Sequence, residues 1–137
     1  MKMKNHYFFI LVLAITLLSC QNNQESQVRE VAQQYLEAVG NYKFEEGRAF
    51  VTDSSQNFID RMTNVVKMMT QEDLEKNLPV TVTIKQVSIN QDTALVNFDT
   101  QSPLYTHNGN IYLVRQTNNI WLVDLPKSFS LQMARKK

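Results

Sequence analysis

Apolar and polar residues follow one rhythm in the first half of the chain and another in the second. Val28, Val31, Ala32, Tyr35, Leu36 and Val39 recur at steps of three and four, which lines one face of a helix. Gly40-Asn41 follows and suits a left-handed helix stop. Residues 44–51 form a short apolar-rich piece of about two turns, weakened by Gly47. Asp53-Ser54-Ser55 offers N-cap side chains. Behind them Phe58, Ile59, Met62, Val65, Val66 and Met69 make a second helical stripe, and Thr70 with Asp73 reads as a capping box for a short helix ending before Pro79.

After Pro79 the period becomes two. Val80, Val82 and Ile84 alternate with Thr81, Thr83 and Lys85, and the apolar phase then shifts to Val87 and Ile89, which predicts a strand with a bulge near Lys85-Gln86. Asn90-Gln91-Asp92 predicts a tight turn, and Ala94, Val96 and Phe98 a second strand. Asn108-Gly109, within residues 106–110, predicts a hairpin turn, with two more strands at 111–114 and 120–125. Helices first and a four-stranded antiparallel meander afterwards specify an α+β domain, its helices packed on one sheet face. In the last two strands both faces carry apolar residues, for example Leu113 against Tyr112 and Val123 against Leu122. Their second face therefore needs a cover or a partner. The tail, where Phe129, Leu131 and Met133 alternate, is one candidate cover.

The N-terminus follows neither rhythm. Lys2 and Lys4 precede an uncharged, mostly apolar run over residues 7–18, shorter than the ~20 residues of a comfortable membrane span. Leu17-Leu18-Ser19-Cys20 then resembles the lipobox of bacterial lipoprotein precursors. That resemblance implies diacylglyceryl transfer to the Cys20 thiol and cleavage before it. Cys20 is the chain's single cysteine, which excludes an internal disulfide and leaves a thiol that acylation would explain. Residues 21–26 are polar, as a tether should be. The chain thus divides into a signal at 1–19, a lipidated Cys20 with its tether to 25, a domain at 26–125 and a tail at 126–137. No Asp follows the cysteine, which points to an outer membrane anchor facing the periplasm rather than retention at the inner membrane.

Charge and composition narrow the function further. From Cys20 onward Lys and Arg number 12 (14 less Lys2 and Lys4) against 13 Asp and Glu, so the chain offers no field for nucleic acid. The basic end Arg135-Lys136-Lys137 reads as solvated. A zinc site lacks soft ligands, no Gly-rich phosphate loop is present, and no cofactor is called for.

A long helix broken at residues 40–42, short helices, a meander and a late Trp121-Leu122-Val123-Asp124 strand together resemble the nuclear transport factor 2-like fold, the group of SnoaL-type and ketosteroid-isomerase-like proteins. Small bacterial lipoproteins of unknown function carry it too. The resemblance implies a cone-shaped half-barrel with a pocket between sheet and helices. Tyr35, Met62, Met69 and Trp121 are the candidate pocket lining. No catalytic residue carries over. His107 falls in the expected hairpin turn, Asp53 at a helix start, Asp99 at a strand end without a recognisable partner, and Asp124 beside Val123 facing outward. The expected function is a lipid-anchored binding or assembly module without catalysis. Its expected partners are the membrane together with a second copy, an envelope protein or a small apolar ligand. The alternative is a pocket enzyme of the isomerase, lyase or hydrolase type.

Overall fold

The computed structural model describes residues 23–134, and of 131, 132 and 134 the backbone only. The signal and the lipidation site at Cys20 lie outside the described residues, as do the basic residues 135–137. Helix α1 is described over residues 23–40. It is followed by α2 (Phe44–Arg48), a 3-10 turn at Asp53–Ser55 running into α3 (Gln56–Lys67), and α4 (Gln71–Lys76). Four strands come next, β1 (Thr81–Asn90), β2 (Thr93–Gln101), β3 (Thr106–Arg115) and β4 (Trp121–Val123), and then α5 (Leu125–Ala134). The strands pair antiparallel in the order β1-β2-β3-β4, so the predicted α+β meander is the fold observed.

The apolar stripes account for the layers. Val28, Ala32, Tyr35 and Leu36 of α1 and Ile59 of α3 bury against Ala94, Val96, Phe98, Ile111, Leu113, Trp121 and Val123, the core face of the sheet. The α3 stripe is core only in part. Phe58, Met62 and Val66 pack against the cluster, whereas Val65 and Met69 face water. The polar stretch before residue 26 is already helical at Asn23, where Gln27 Nε2 donates to Asn23 Oδ1 and Arg29 Nε to Glu25 Oε1.

The stop of α1 lies one residue later than Gly40-Asn41. Tyr42 is the left-handed residue, at φ 62°, and the N–H groups of Tyr42 and Lys43 close onto the carbonyls of Val39 and Ala38, a Schellman motif. Gly40 serves a different purpose. A Cβ there would lie 2.9 Å from Val80 Cγ1, so the missing side chain lets the approach to β1 cross the helix end. Asn41 then acts as a rung for the strand edge. Its Nδ2 donates to the Val80 carbonyl at 3.0 Å and its Oδ1 accepts from the Val80 N–H at 3.0 Å. About two turns earlier Gln33 Nε2 donates to the Val82 carbonyl at 3.1 Å. Two amide side chains thereby occupy the start of an edge that β1 would otherwise leave open.

The bulge lies between Ile84 and Gln86, as the shift of apolar phase predicts, and the Gln91-Asp92 turn is present with Gln91 at φ 54°. The Asn108-Gly109 hairpin is not. Both residues lie inside β3, and the chain reverses earlier, at Ser102-Pro103-Leu104-Tyr105. There Ser102 Oγ accepts the N–H groups of Leu104 and Tyr105, and the Ser102 N–H donates to the Tyr105 carbonyl. This Ser-centred turn satisfies its own backbone, which a left-handed Asn-Gly pair would do no better. Gly109 pairs with Phe98, and a Cβ on it would fall 2.5 Å from Phe98 Cζ. The glycine is there to admit the ring.

The last strand is short because its neighbours complete the pairing. Val123 forms a parallel bridge with Val51; its N–H donates to the Phe50 carbonyl at 2.8 Å, and its carbonyl accepts from the Thr52 N–H at 3.0 Å. Ser55, fully buried, does not cap α3 through its side chain. Its Oγ accepts the Leu125 N–H at 2.9 Å, contacts Thr52 Oγ1 at 2.7 Å and donates to the Val123 carbonyl at 3.3 Å. Asp124 is the cap of α5, its Oδ1 accepting the Lys127 N–H at 3.0 Å. Beyond β4 the edge of β3 is taken over by α5, since the Asp124 N–H donates to the Tyr112 carbonyl and the Tyr112 N–H to Ser128 Oγ. The segment with Phe129, Leu131 and Met133 is therefore a helix and not an extended cover. It is pinned by stacking of Phe129 on Phe58 at 5.3 Å between centroids, with Lys127 Nζ 4.0 Å from the Tyr112 ring.

Candidate functional site

Two of the four expected lining residues are structural core. Tyr35 and Trp121 belong to one buried cluster with Val28, Ile59 and Leu113. Burial raises the Tyr35 phenol above its ordinary value, so it holds its proton at neutral pH and acts as bulk. Trp121 is 2 % exposed, and its indole N–H has no acceptor among the described residues. Met62 packs against the cluster from α3, and Met69 sits past the helix end at 38 % exposure.

A recess lies elsewhere, between the C-terminal half of α1, α2 and the strand approach at residues 78–82. It is an open groove of about 920 Å³. Ala38, Phe50, Leu78, Pro79, Val80 and Val82 form apolar ground, with Glu37, Asn41, Lys43 and Glu46 at its rim. The rim groups are largely committed to the fold. Asn41 holds Val80, Lys43 Nζ lies 3.8 Å from Glu46 Oε2, and Glu37 Oε1 accepts from Gln33 Nε2. None of Tyr35, Met62, Met69 and Trp121 lines this groove.

The acids are engaged at the surface. Asp99 accepts from Asn108 Nδ2 at 2.8 Å and pairs with Lys85 Nζ at 3.0 Å, correcting the expectation that it lacks a partner. Those two contacts, Asn108 first, hold its carboxyl below the ordinary aspartate value. Asp124 caps α5. Asp53 opens the 3-10 turn, whose cap position is Thr52; Thr52 Oγ1 bonds to the Ser54 and Ser55 hydroxyls rather than to a backbone N–H. Arg48 pairs with Glu45 within α2 and ties α2 to α3 through Gln56 and Asp60, the last at 2.7 Å.

His107 is the residue whose placement changes most. It lies in β3, opposite Thr100, which is itself opposite Val82. Strand alternation from Phe98 and Gly109 puts Thr100 and His107 on the core side of the sheet, at the exposed end beyond the packed helices. An earlier turn at Ser102-Pro103 would have been the sequence signal for this. Among the described residues no group of three His, Cys, Asp or Glu side chains could hold a metal ion, and no helix is long and apolar enough to cross a membrane.

No family model and no curated protein matches the chain. Solved structures do. The chain is similar to a protein described as a candidate NTF2-like transpeptidase from Campylobacter jejuni, at 16 % identity and TM-score 0.53, over 69 % of this chain and 94 % of that one. It is likewise similar to an NTF2-like protein of unknown function from Shewanella baltica, at 14 % identity and TM-score 0.56, over 74 % of this chain and 88 % of that one. Helices on one face of a four-stranded antiparallel meander, shared with both, give this chain the nuclear transport factor 2-like fold.

Proposed function

We propose that the protein is a lipid-anchored module of the bacterial cell envelope that binds or assembles rather than catalyses, held by Cys20 at the periplasmic face of the outer membrane. The observation that carries the absence of catalysis is the division of the described residues. Aliphatic and aromatic side chains fill the space between helices and sheet, while Asp53, Asp99 and Asp124 sit in turns, ion pairs and caps at the periphery. Acid–base chemistry needs a titratable group held in a dry site with its pKa brought toward neutrality. The groove beside α1 supports binding, because its apolar ground is open and its charged rim is exposed. The pocket-enzyme reading retains one supporting observation, His107 beside Thr100 on the core side of the sheet.

The anchor rests on Leu17-Leu18-Ser19-Cys20 after a short apolar run. One acyl chain binds marginally, whereas two or three, at ~0.8 kcal/mol per buried methylene, hold a protein firmly. Cys20→Ala is expected to abolish labelling of the chain by an alkyne fatty acid in a bacterial host and to leave it as precursor or released protein. Unchanged labelling of that variant contradicts the anchor.

A further inference from the structure

We infer that the membrane-facing surface of this domain is the end formed by the start of α1, the β1–β2 turn and the β3–β4 turn, which meets the lipid headgroup layer directly. This rests on the Cys20 anchor proposed above and adds an orientation to it. The chain-length argument is short. The helix is already formed at Asn23, three residues after Cys20. Three residues span at most about 11 Å however they are arranged. A diacylglyceryl group on Cys20 lies in the bilayer, so the described start of α1 stays within about 11 Å of it, at most about two headgroup layers. A flexible tether reaching to residue 25 would have left the domain free to tumble, and a chain already helical at Asn23 does not.

The structure shows which other elements share that end. Asn23, Gln24 and Gln27 line one recess with Arg115 and Asn119, so the β3–β4 turn lies beside the start of the helix. The Arg115 N–H donates to the Asp92 carbonyl at 2.8 Å and Arg115 Nε to Asp92 Oδ1 at 2.9 Å, which ties the β1–β2 turn to the same place. The chemistry suits a headgroup surface. Apart from Arg115, which pairs with Asp92, the recess is lined by amides that can hydrogen-bond phosphate and glycerol oxygens. Ile120 stands 52 % exposed next to them. With no net charge at this end, anionic lipid would neither draw the domain in nor push it away, and the anchor alone sets the orientation.

The opposite end follows from the meander. β2 is nine residues long, so the Ser102–Tyr105 reversal lies about 30 Å from the β1–β2 turn. Exposed Leu104 and Tyr105, with His107 near them, therefore point away from the bilayer.

The test uses the full acylated chain with single cysteines at Thr117 (Thr117→Cys) or Leu104 (Leu104→Cys), each carrying an NBD fluorophore. The protein is reconstituted in phosphatidylcholine vesicles containing a headgroup-nitroxide lipid. The expected result is quenching at position 117 several-fold stronger than at 104. A flexible insert of about ten Gly and Ser residues before Asn23 is expected to bring the two close together. Equal quenching without the insert, or stronger quenching at 104, in protein that floats with the vesicles overturns the orientation and leaves the anchor standing. An N-terminal peptide whose mass shows no acyl group, in protein that does not float, overturns the anchor and the orientation with it.

Discussion

Trp121→Ala is expected to destabilise the chain made from Gln21 onward by about 3–5 kcal/mol, the range for deleting a buried aromatic side chain. Trp121 is 2 % exposed, and it faces the core from β4 in the same cluster as Leu113 and Val123. The neighbouring backbone can relax little, because Val123 is held on both sides, by Leu113 in the sheet and by Val51 across the parallel bridge. The ring also carries the Arg115 guanidinium, 5.8 Å from its centroid, so removing it loosens the β3–β4 end as well. Trp121→Phe separates volume from polarity. It keeps most of the apolar contact and deletes the indole N–H that has no acceptor among the described residues, so it is expected to cost well under half as much. Urea unfolding followed by circular dichroism measures both. A Trp121→Ala cost below about 1 kcal/mol would place the side chain at the surface.

Gly109→Val is expected to cost about 1–3 kcal/mol, although valine favours strands and Gly109 lies in the middle of one. The new Cβ would fall 2.5 Å from Phe98 Cζ, 3.0 Å from Cε1 and 3.1 Å from Cε2, so the buried ring must move. Backbone strain does not contribute, since Gly109 has no positive φ. The contact is therefore the whole cause, and a double-mutant cycle isolates it: in a Phe98→Ala background the same substitution is expected to be neutral or stabilising. A Gly109→Val protein more stable than the parent would contradict the ring contact.

That glycine also shows where sequence reading loses its grip. Alternation in β1 and β2, the bulge after Ile84 and the Thr70–Asp73 capping box are local, and all three are found where the pattern places them. Asn108-Gly109 gives an equally strong local signal and is overruled, because what it answers to is Phe98, eleven residues away on the neighbouring strand. The left-handed position falls on Tyr42 rather than Gly40 for a similar reason, Gly40 being needed where Val80 crosses the helix. Ser55 carries a local signal only for a helix cap, which its side chain does not make. Its partners Val123 and Leu125 lie about seventy residues on, and no periodicity marks a buried hydroxyl that joins two ends of the chain. At the candidate site, Tyr35 was legible as part of an apolar stripe. The side of the sheet that His107 occupies was not, because it depends on where the preceding turn falls.

The most direct test of a binding module with an apolar interior is a pH titration of every Asp and Glu side-chain carboxyl by ¹³C NMR. The account predicts that Asp99 and Glu45 titrate below ordinary carboxylates, Asp99 through Asn108 and Lys85 and Glu45 through Arg48, and no Asp or Glu is among the buried residues described. A carboxyl titrating near neutrality, in a chain whose Asp99 behaves as predicted, would contradict it and give the pocket-enzyme reading its acid.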